Sequence, residues 1–518
     1  MKIESKIRDF FTEYGKYISG GLFVGVLAYF MMMSQNLNNN LDGIWHLSNF
    51  IAGDWEISLG RGLQRYADRA RFGIVSDPFN TILTLFLLSI GNTLILKHFS
   101  IVEPVYRGLL ILLLSVNPVV CNSLSYSNTS VNFGLAYLFS VFAYVSINSI
   151  QSRKQFLYMG FVGGLFLGVS MAFYQAYICV TSILITFTIL KALCDKKRLK
   201  EIFQYAGISL YALLWGGVIY YGITQALLFR ANISLSSYGN ASNINPVQIL
   251  TNLPRSLKRC YLDFYTYYSE KKTFSDLEFI DIVLIGMFAV CLIAIVTQFI
   301  KLIKYSRAHA ALFAAVVFLL PVAACFVLLI AVGNTMTGLM SMSLVVCTAL
   351  LRIIIPEENK FDLSIKRLHL ILLAGFAWFQ LSAVINDQVA LKEGKSATIS
   401  LAENIMYQLS SDGYLDGFPP VAFVGRPGNN AHFAQNDAFQ MANEYAKFGC
   451  WSTNARNNRV SWSGIITNYL GINVNLCGDT EYQELVRMEQ IADMPEFPEE
   501  GSICIIHDIV VVKVSDVY

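Results

Sequence analysis

Apolar runs close to the twenty residues that a helix needs to cross a bilayer recur along this chain. Eleven such runs stand out, over residues 17–35, 78–97, 105–121, 131–150, 155–173, 175–193, 204–226, 278–300, 310–332, 335–355 and 368–386. The third is short and holds Pro118, and the fifth and sixth touch at Tyr174. Two polar stretches interrupt the pattern, 36–78 and 227–277. After Asn386 turn signals such as Ser411-Asp412-Gly413, Gly417-Phe418-Pro419-Pro420 and Arg426-Pro427-Gly428 alternate with short apolar runs. The pattern predicts a polytopic α-helical membrane protein: a transmembrane domain over 1–386 and a small α/β domain over 387–518. Within the latter, Ile503 to Val512 reads as a hairpin of two buried strands turning at His507-Asp508.

Composition agrees. Of 518 residues 55% are hydrophobic and only 14% charged, and the mean hydropathy is +0.50, whereas soluble domains are near a quarter charged. A net charge of +2 gives no global basic character that would argue for nucleic acid. Position matters more than balance. Lys2, Lys6, Arg8 and Lys16 precede the first run, and with eleven spans the other inner turns hold Lys97 with Arg107, Arg153 with Lys154, Lys196 to Lys200, Lys301 to Arg307, and Lys360 to Arg367. Every predicted inner turn is basic, as the positive-inside bias requires. The outer turns at Cys121 to Ser130 and Gly333 to Thr335 carry no basic residue. That orientation places the two long polar loops and the C-terminal domain outside the cytoplasm. The polar start leads into a long apolar run without a small-residue cleavage site, so the first helix is expected to remain as an anchor.

The first outer loop concentrates the chemistry. Asp42, Asp54, Glu56, Asp68 and Asp77 stand beside Arg61, Arg65, Arg69 and Arg71, with Trp45, Trp55 and Tyr66 among them. Ile44, Leu47, Phe50 and Ile51 keep a helical spacing, which predicts a short helix lying along the membrane surface. Asp42 then sits at the outer rim, where a lipid phosphate would lie. A partly desolvated carboxylate there can take a raised pKa and accept a proton from a sugar hydroxyl attacking an anomeric carbon; the alternative is a plain N-cap for that helix. Arg61, Arg65 and Arg69 follow i, i+4, i+8 on one predicted helix face. They suit a phosphate clamp, or else nonspecific contact with lipid head groups and pairing with Asp68 and Glu56. His46 lies four residues after Asp42, too few ligands for a metal site. Further along, Tyr174-Gln175 is a polar step in apolar surroundings, either facing a cavity or holding helices together. The turn Ser123 to Asn132 can hydrogen-bond sugar hydroxyls, and the aromatic tract Tyr261 to Tyr268 can stack on sugar rings or form an interfacial belt.

The residues LDGIWH, GDWEISLGRGLQRY and VSDPF in the first outer loop, followed later by AFYQAYIC, resemble the membrane glucosyltransferases related to the serotype-converting O-antigen enzymes. The motif match covers Leu41 to Phe79 and Tyr174 to Tyr177. The resemblance implies a GT-C-like fold and inverting transfer of glucose from a polyprenyl-phosphate donor to a cell-surface glycan, at the outer face of the cytoplasmic membrane and without a cofactor. Family members often carry two adjacent acids where this chain has Asp42-Gly43, so that role passes to Asp42 alone, and Asp54 or Glu56 are the candidates for a second carboxylate. Gly60-Arg61 and Tyr174-Gln175 resemble the family's Gly-Arg and Tyr-Gln steps. The resemblance implies that Asp42 is the base and that Arg61 with Arg65 holds the donor phosphate. Arg69, His46, Trp45, Trp55, Tyr174 and Gln175 complete the candidate substrate contacts.

Two other classes compete. A lipid-linked glycan transporter would place charges inside the spans, and Glu278, Asp281 and Arg352 lie only near span ends. A noncatalytic envelope assembly protein would also gather acids and arginines in an outer loop. Cysteine does not separate these classes. Five of ten lie in or beside apolar runs, and Cys450, Cys477 and Cys504 in the tail allow one pair and a leftover.

Overall fold

In a computed structural model of the chain, residues 2–39, 42–148, 155–238, 246–269, 280–427, 430, 451 and 455–516 are described. Arg153, Lys154, Lys271, Lys272, Glu278 and Cys450 lie outside them. The amino-terminal half consists of α1 (Lys2–Ala28), α2 (Phe30–Gln35), three short helices α3 (Asp42–Trp45), α4 (Asp54–Ser58) and α5 (Gln64–Ala70), and then α6 (Asp77–His98), α7 (Pro104–Ser115), α8 (Pro118–Ser125), α9 (Ser130–Asn148), α10 (Gln155–Phe173) and α11 (Ile178–Cys194). There follow α12 (Leu199–Ala231), α13 (Pro246–Ser269), α14 (Ile280–Tyr305), α15 (Arg307–Phe318), α16 (Leu320–Ala324), α17 (Met342–Leu350) and α18 (Lys360–Ser411). The remainder is β1 (Val421–Val424), α19 (Ala455–Tyr469), α20 (Asp479–Leu485), α21 (Glu489–Asp493), β2 (Ile503–Ile506) and β3 (Ile509–Lys513).

Seven of the described helical segments are long and apolar enough to cross a membrane. A spanning chain has no water to satisfy its backbone, so these runs become helices regardless of β-branched content. The runs at 310–332 and 335–355 differ from the expectation of smooth spans: each breaks into short α and 3-10 pieces, around Leu319-Leu320-Pro321 and Ser341. Much of the predicted second outer loop is helical too, because α12 runs to Ala231 and α13 begins at Pro246.

Helices α10 and α12 approach closely through glycines. A Cβ on Gly164 would stand 2.9 Å from Trp215 Cδ1 and 3.0 Å from the Ala212 carbonyl, and one on Gly168 would stand 2.6 Å from Ile219 Cγ2. Small residues let membrane helices exchange dispersion contacts at short range.

Helix α18 runs 52 residues without a break through residue 386, where the composition changes. Its start is capped by Asn359, whose Oδ1 accepts from Asp362 N at 2.8 Å. Its far half packs with α19 on a three-stranded sheet of order β1-β3-β2. Central β3 pairs in parallel with β1 (Val421 opposite Val510) and antiparallel with β2 (Ile503 opposite Val512). The predicted hairpin is present, and His507 and Asp508 both take positive φ at its turn. Helices cover both faces: Val421, Phe423, Val510 and Val512 join one core, Ala422, Val424, Ile509 and Val511 another. A sheet covered twice reads as an unbroken apolar run. In β2, however, Ile505 is exposed.

Candidate active site

The loop between the first two apolar runs is held by a buried ion pair. Asp68, fully buried, accepts from Arg71 at 2.9 Å, from Asn132 Nδ2 at 3.0 Å and from the Ala52 amide at 2.9 Å. Arg71 also donates to the carbonyls of Ile74 and Asn128. Nearby, the Phe50 amide bonds the Gly73 carbonyl and the Val75 amide that of Ser48. These contacts replace the predicted surface helix: only Asp42–Trp45 is helical, and Ser48 to Phe50 run extended against Gly73 to Val75.

Asp42 lies on that single helical turn. Its residue is open to solvent, yet desolvation raises the carboxyl above its usual range; His46 and Arg61 oppose the rise and Glu56 adds to it. Desolvation also lowers the His46 imidazole, against the pull of Asp42 and Glu56. Asp42, His46, Glu56 and Arg61 therefore share one electrostatic environment.

Arg61 does not stand on a helix with Arg65 and Arg69, which corrects the predicted three-arginine face. Helix α5 begins only at Gln64, because Gly60, at φ 75°, turns the chain between α4 and α5. A Cβ at Gly60 would fall 2.2 Å from Tyr220 Oη and 3.0 Å from Gln175 Nε2, so both conformation and space demand glycine. The turn carries the Arg61 guanidinium over the Tyr174 ring, 4.7 Å from its centroid, with Nε 3.4 Å from Gln175 Oε1. Gln175 Nε2 donates to the Leu59 carbonyl at 2.6 Å and lies 2.9 Å from Tyr220 Oη. The Tyr174-Gln175 step thus faces the loop at the break between α10 and the turn Gln175–Tyr177.

Other candidates are placed elsewhere or already engaged. Arg65 donates to Asp54 at 2.7 Å and to the Ala52 carbonyl, and Arg69 points to solvent. Asp54 is therefore occupied by Arg65, and Glu56 Oε2 accepts from the Gly53 amide at 2.6 Å at the start of α4. Trp45 lies against α19 at Gly464, and the exposed Trp55 meets Tyr238 edge-on at 5.7 Å. The predicted sugar contacts at Ser123 to Asn132 are mostly buried braces: Ser127 Oγ donates to Asn38 Oδ1 and Asn132 holds Asp68. In the Tyr261 to Tyr268 tract, Tyr261 bonds the Phe318 carbonyl and Tyr268 meets Thr348, so these two rings bind helices together. Cys477 and Cys504 are free thiols. Among the described residues no three His, Cys, Asp or Glu side chains stand close enough together to hold a metal ion.

Three tyrosines around the group formed by Asp42, Arg61 and Gln175 were not singled out by the sequence reading. Tyr126 feels the charges of Asp42 and Arg61, Tyr238 acts on both Tyr126 and Tyr174, and Tyr220 touches Gln175. They come from 126, 220 and 238, and only folding brings Tyr126 to Asp42, Tyr220 to Gln175 and Tyr238 to Trp55; Tyr126 and Tyr238 lay within stretches flagged as polar, Tyr220 within an apolar run.

The family model described as Glucosyl transferase GtrII matches residues 30–355, more than half of the chain. The chain belongs to this glucosyl transferase family. No curated protein and no solved structure matches it. The GtrII match contains Asp42, Gly60-Arg61 and Tyr174-Gln175, and ends before α18 begins. Membership makes the protein a glucosyltransferase, acting between a sugar donor and a glycan acceptor, and the long apolar helices make it a membrane protein.

Proposed function

We propose that this GtrII-family protein transfers glucose from a polyprenyl-phosphate donor to a cell-surface glycan, at the outer face of the cytoplasmic membrane and with inversion. The observation that carries the reading is a carboxyl held above its usual range, at Asp42, within electrostatic reach of a guanidinium fixed over Tyr174. In the reaction an acceptor hydroxyl gives its proton to the Asp42 carboxylate while its oxygen attacks the anomeric carbon. The bond from that carbon to the phosphate oxygen breaks, and the lipid phosphate leaves with the electron pair. One displacement inverts the centre. Arg61 is already oriented by Tyr174 and Gln175, so it stabilises the leaving charge with little reorganisation. His46, whose imidazole is pushed below its ordinary range by desolvation, stands beside Asp42 and against the Phe50 ring, and in this reading it is a candidate contact for the acceptor. Trp55 and Tyr238 offer apolar ring faces to a sugar.

In this reading the organisation is GT-C-like. The chain crosses eleven times, the broken runs 310–332 and 335–355 counting as one crossing each, and residues 387–518 form an extracytoplasmic domain. The odd number leaves the site and that domain on one side.

The test is transfer by purified protein in detergent, with radiolabelled polyprenyl-phosphate glucose and an envelope glycan extract. Asp42→Asn is expected to lower kcat by about 10²–10⁴-fold, the usual worth of a general base. Arg61→Ala is expected to lower kcat/KM by about 10²–10³-fold, as loss of one fixed donor to developing charge does. Full transfer by the Asp42→Asn protein would remove the base from the mechanism.

A further inference from the structure

The turn that carries Asp42 cannot hold itself. Helix α3 is four residues long, and one isolated helical turn is unstable. On one side it is fixed by the membrane part: Asn39 Oδ1 accepts from the Gly43 amide at 3.2 Å, while Asn39 N and Nδ2 each donate to the Ser125 carbonyl at 3.1 Å. Its other side rests on the C-terminal region. Asn468 Nδ2 of α19 donates to the Ile44 carbonyl at 2.8 Å, and the buried Ile44 side chain belongs to the core that contains Ile405, Phe423, Trp462 and Ile465. Gly464, inside α19, is a poor helix former at that place. Its missing side chain is explained by space, since a Cβ there would lie 2.7 Å from Ile44 Cγ2 and 3.2 Å from Trp45 Nε1. Helix α18 ties this region back to the membrane part, Gln388 bonding the Met32 amide and the Ala28 carbonyl and Lys395 the Asn36 carbonyl.

We infer that Gly464 and Asn468 of α19 are positioning residues for the acid. They seat the α3 turn so that Asp42 keeps its place relative to Arg61, and they lie outside the segment that matches the GtrII family. The inference rests on the reading of Asp42 as the base. It gives the C-terminal region a part in the chemistry without touching substrate.

The experiment uses the full-length protein and compares wild type, Gly464→Ala, Ile44→Leu and the double variant. The added methyl in Gly464→Ala pushes on Ile44 Cγ2; Ile44→Leu removes that methyl at nearly constant volume. Gly464→Ala is expected to lower kcat at least about tenfold with the donor KM unchanged, since misplacement by about 1 Å can cost about 10²-fold. Ile44→Leu alone should be near wild type, and the double variant should regain most of the loss. Hydrogen exchange should rise at residues 42–46 in Gly464→Ala and stay unchanged in the strands over 503–513. A wild-type kcat in Gly464→Ala, a donor KM that rises as kcat falls, or no recovery in the double variant would overturn the inference. If wild type transfers nothing, the glucosyl-transfer reading fails by itself. Exchange at 42–46 still decides the seating: a rise in Gly464→Ala supports it, and an unchanged pattern overturns it.

Discussion

Asp42 sits among three charged or titratable neighbours that do not act in the same direction. Desolvation and the Glu56 charge raise its pKa, whereas His46 and Arg61 lower it. A base works only when deprotonated, so kcat/KM should rise with pH through the Asp42 pKa, at higher pH than an ordinary carboxylate would give. Glu56→Gln keeps an oxygen for the Gly53 amide but removes the charge. The acid limb of the kcat/KM profile is therefore expected to move to lower pH in that variant, and a limb that stays put would separate Glu56 from Asp42. Asp68 is a different kind of acid. Asp68→Ala would leave Arg71 buried without its carboxylate, which typically destabilises by about 3–5 kcal/mol; a melting temperature in detergent near that of wild type would show that the pair does not hold the loop. Asp42, Arg61 and Gln175 could be picked out as candidates because their polar side chains stand out beside apolar runs, and the structure brings Arg61 and Gln175 into contact. The separation of Arg61 from Arg65 and Arg69 was not legible, since i, i+4, i+8 spacing presumes a helix that Gly60 prevents from starting early.

At the scale of elements, the site depends on how two helices meet. Gln175 follows the end of α10 and Tyr220 belongs to α12, so their contact reports the spacing of the pair. Gly168→Val would drive a side chain into Ile219 and toward the Gly216 carbonyl, 3.1 Å from the ideal Cβ, and a backbone group cannot rotate away. The variant is expected to lose about 1–3 kcal/mol of stability, as overpacked cores do, with a parallel drop in activity as Tyr220 withdraws from Gln175; unchanged thermal stability would mean that α10 and α12 reseat freely. The long helices were readable because length and hydropathy suffice to specify a span. So was the C-terminal hairpin, where an apolar run is broken only by His507-Asp508. The interfacial helix was misread for the opposite reason. Its spacing of Ile44, Leu47, Phe50 and Ile51 is helical, yet Ile44 is drawn into the C-terminal core and Phe50 into pairing with Gly73, partners 23 or more residues away that no local pattern announces.

Across the whole molecule, the predicted inner turns meet one another. Lys97 lies over the rings of Phe10 and Tyr14, and Arg107 over Tyr17. Arg352 pairs with Glu103 and donates to the Lys366 carbonyl, and Lys196 and Lys301 both reach Glu358. Helix α6 leads from the loop that holds Asp42, at Asp77, to this basic cluster, at His98. The cluster and the candidate site therefore occupy opposite ends of one apolar bundle, as the positive-inside bias requires if the site faces out. The arrangement can be tested without any knowledge of the substrate. Ser237, exposed beside Tyr238, marks the site end, and Lys304, exposed in the last turn of α14, marks the basic end. The native cysteines among the described residues are buried or half-buried, so the background with a thiol reagent should be low. In intact cells a membrane-impermeant maleimide is expected to label Ser237→Cys and to reach Lys304→Cys only after permeabilisation. The reverse pattern would put Asp42 in the cytoplasm, where a polyprenyl-phosphate sugar displayed on the outer leaflet could not reach it, and the proposed donor would have to be abandoned with the orientation.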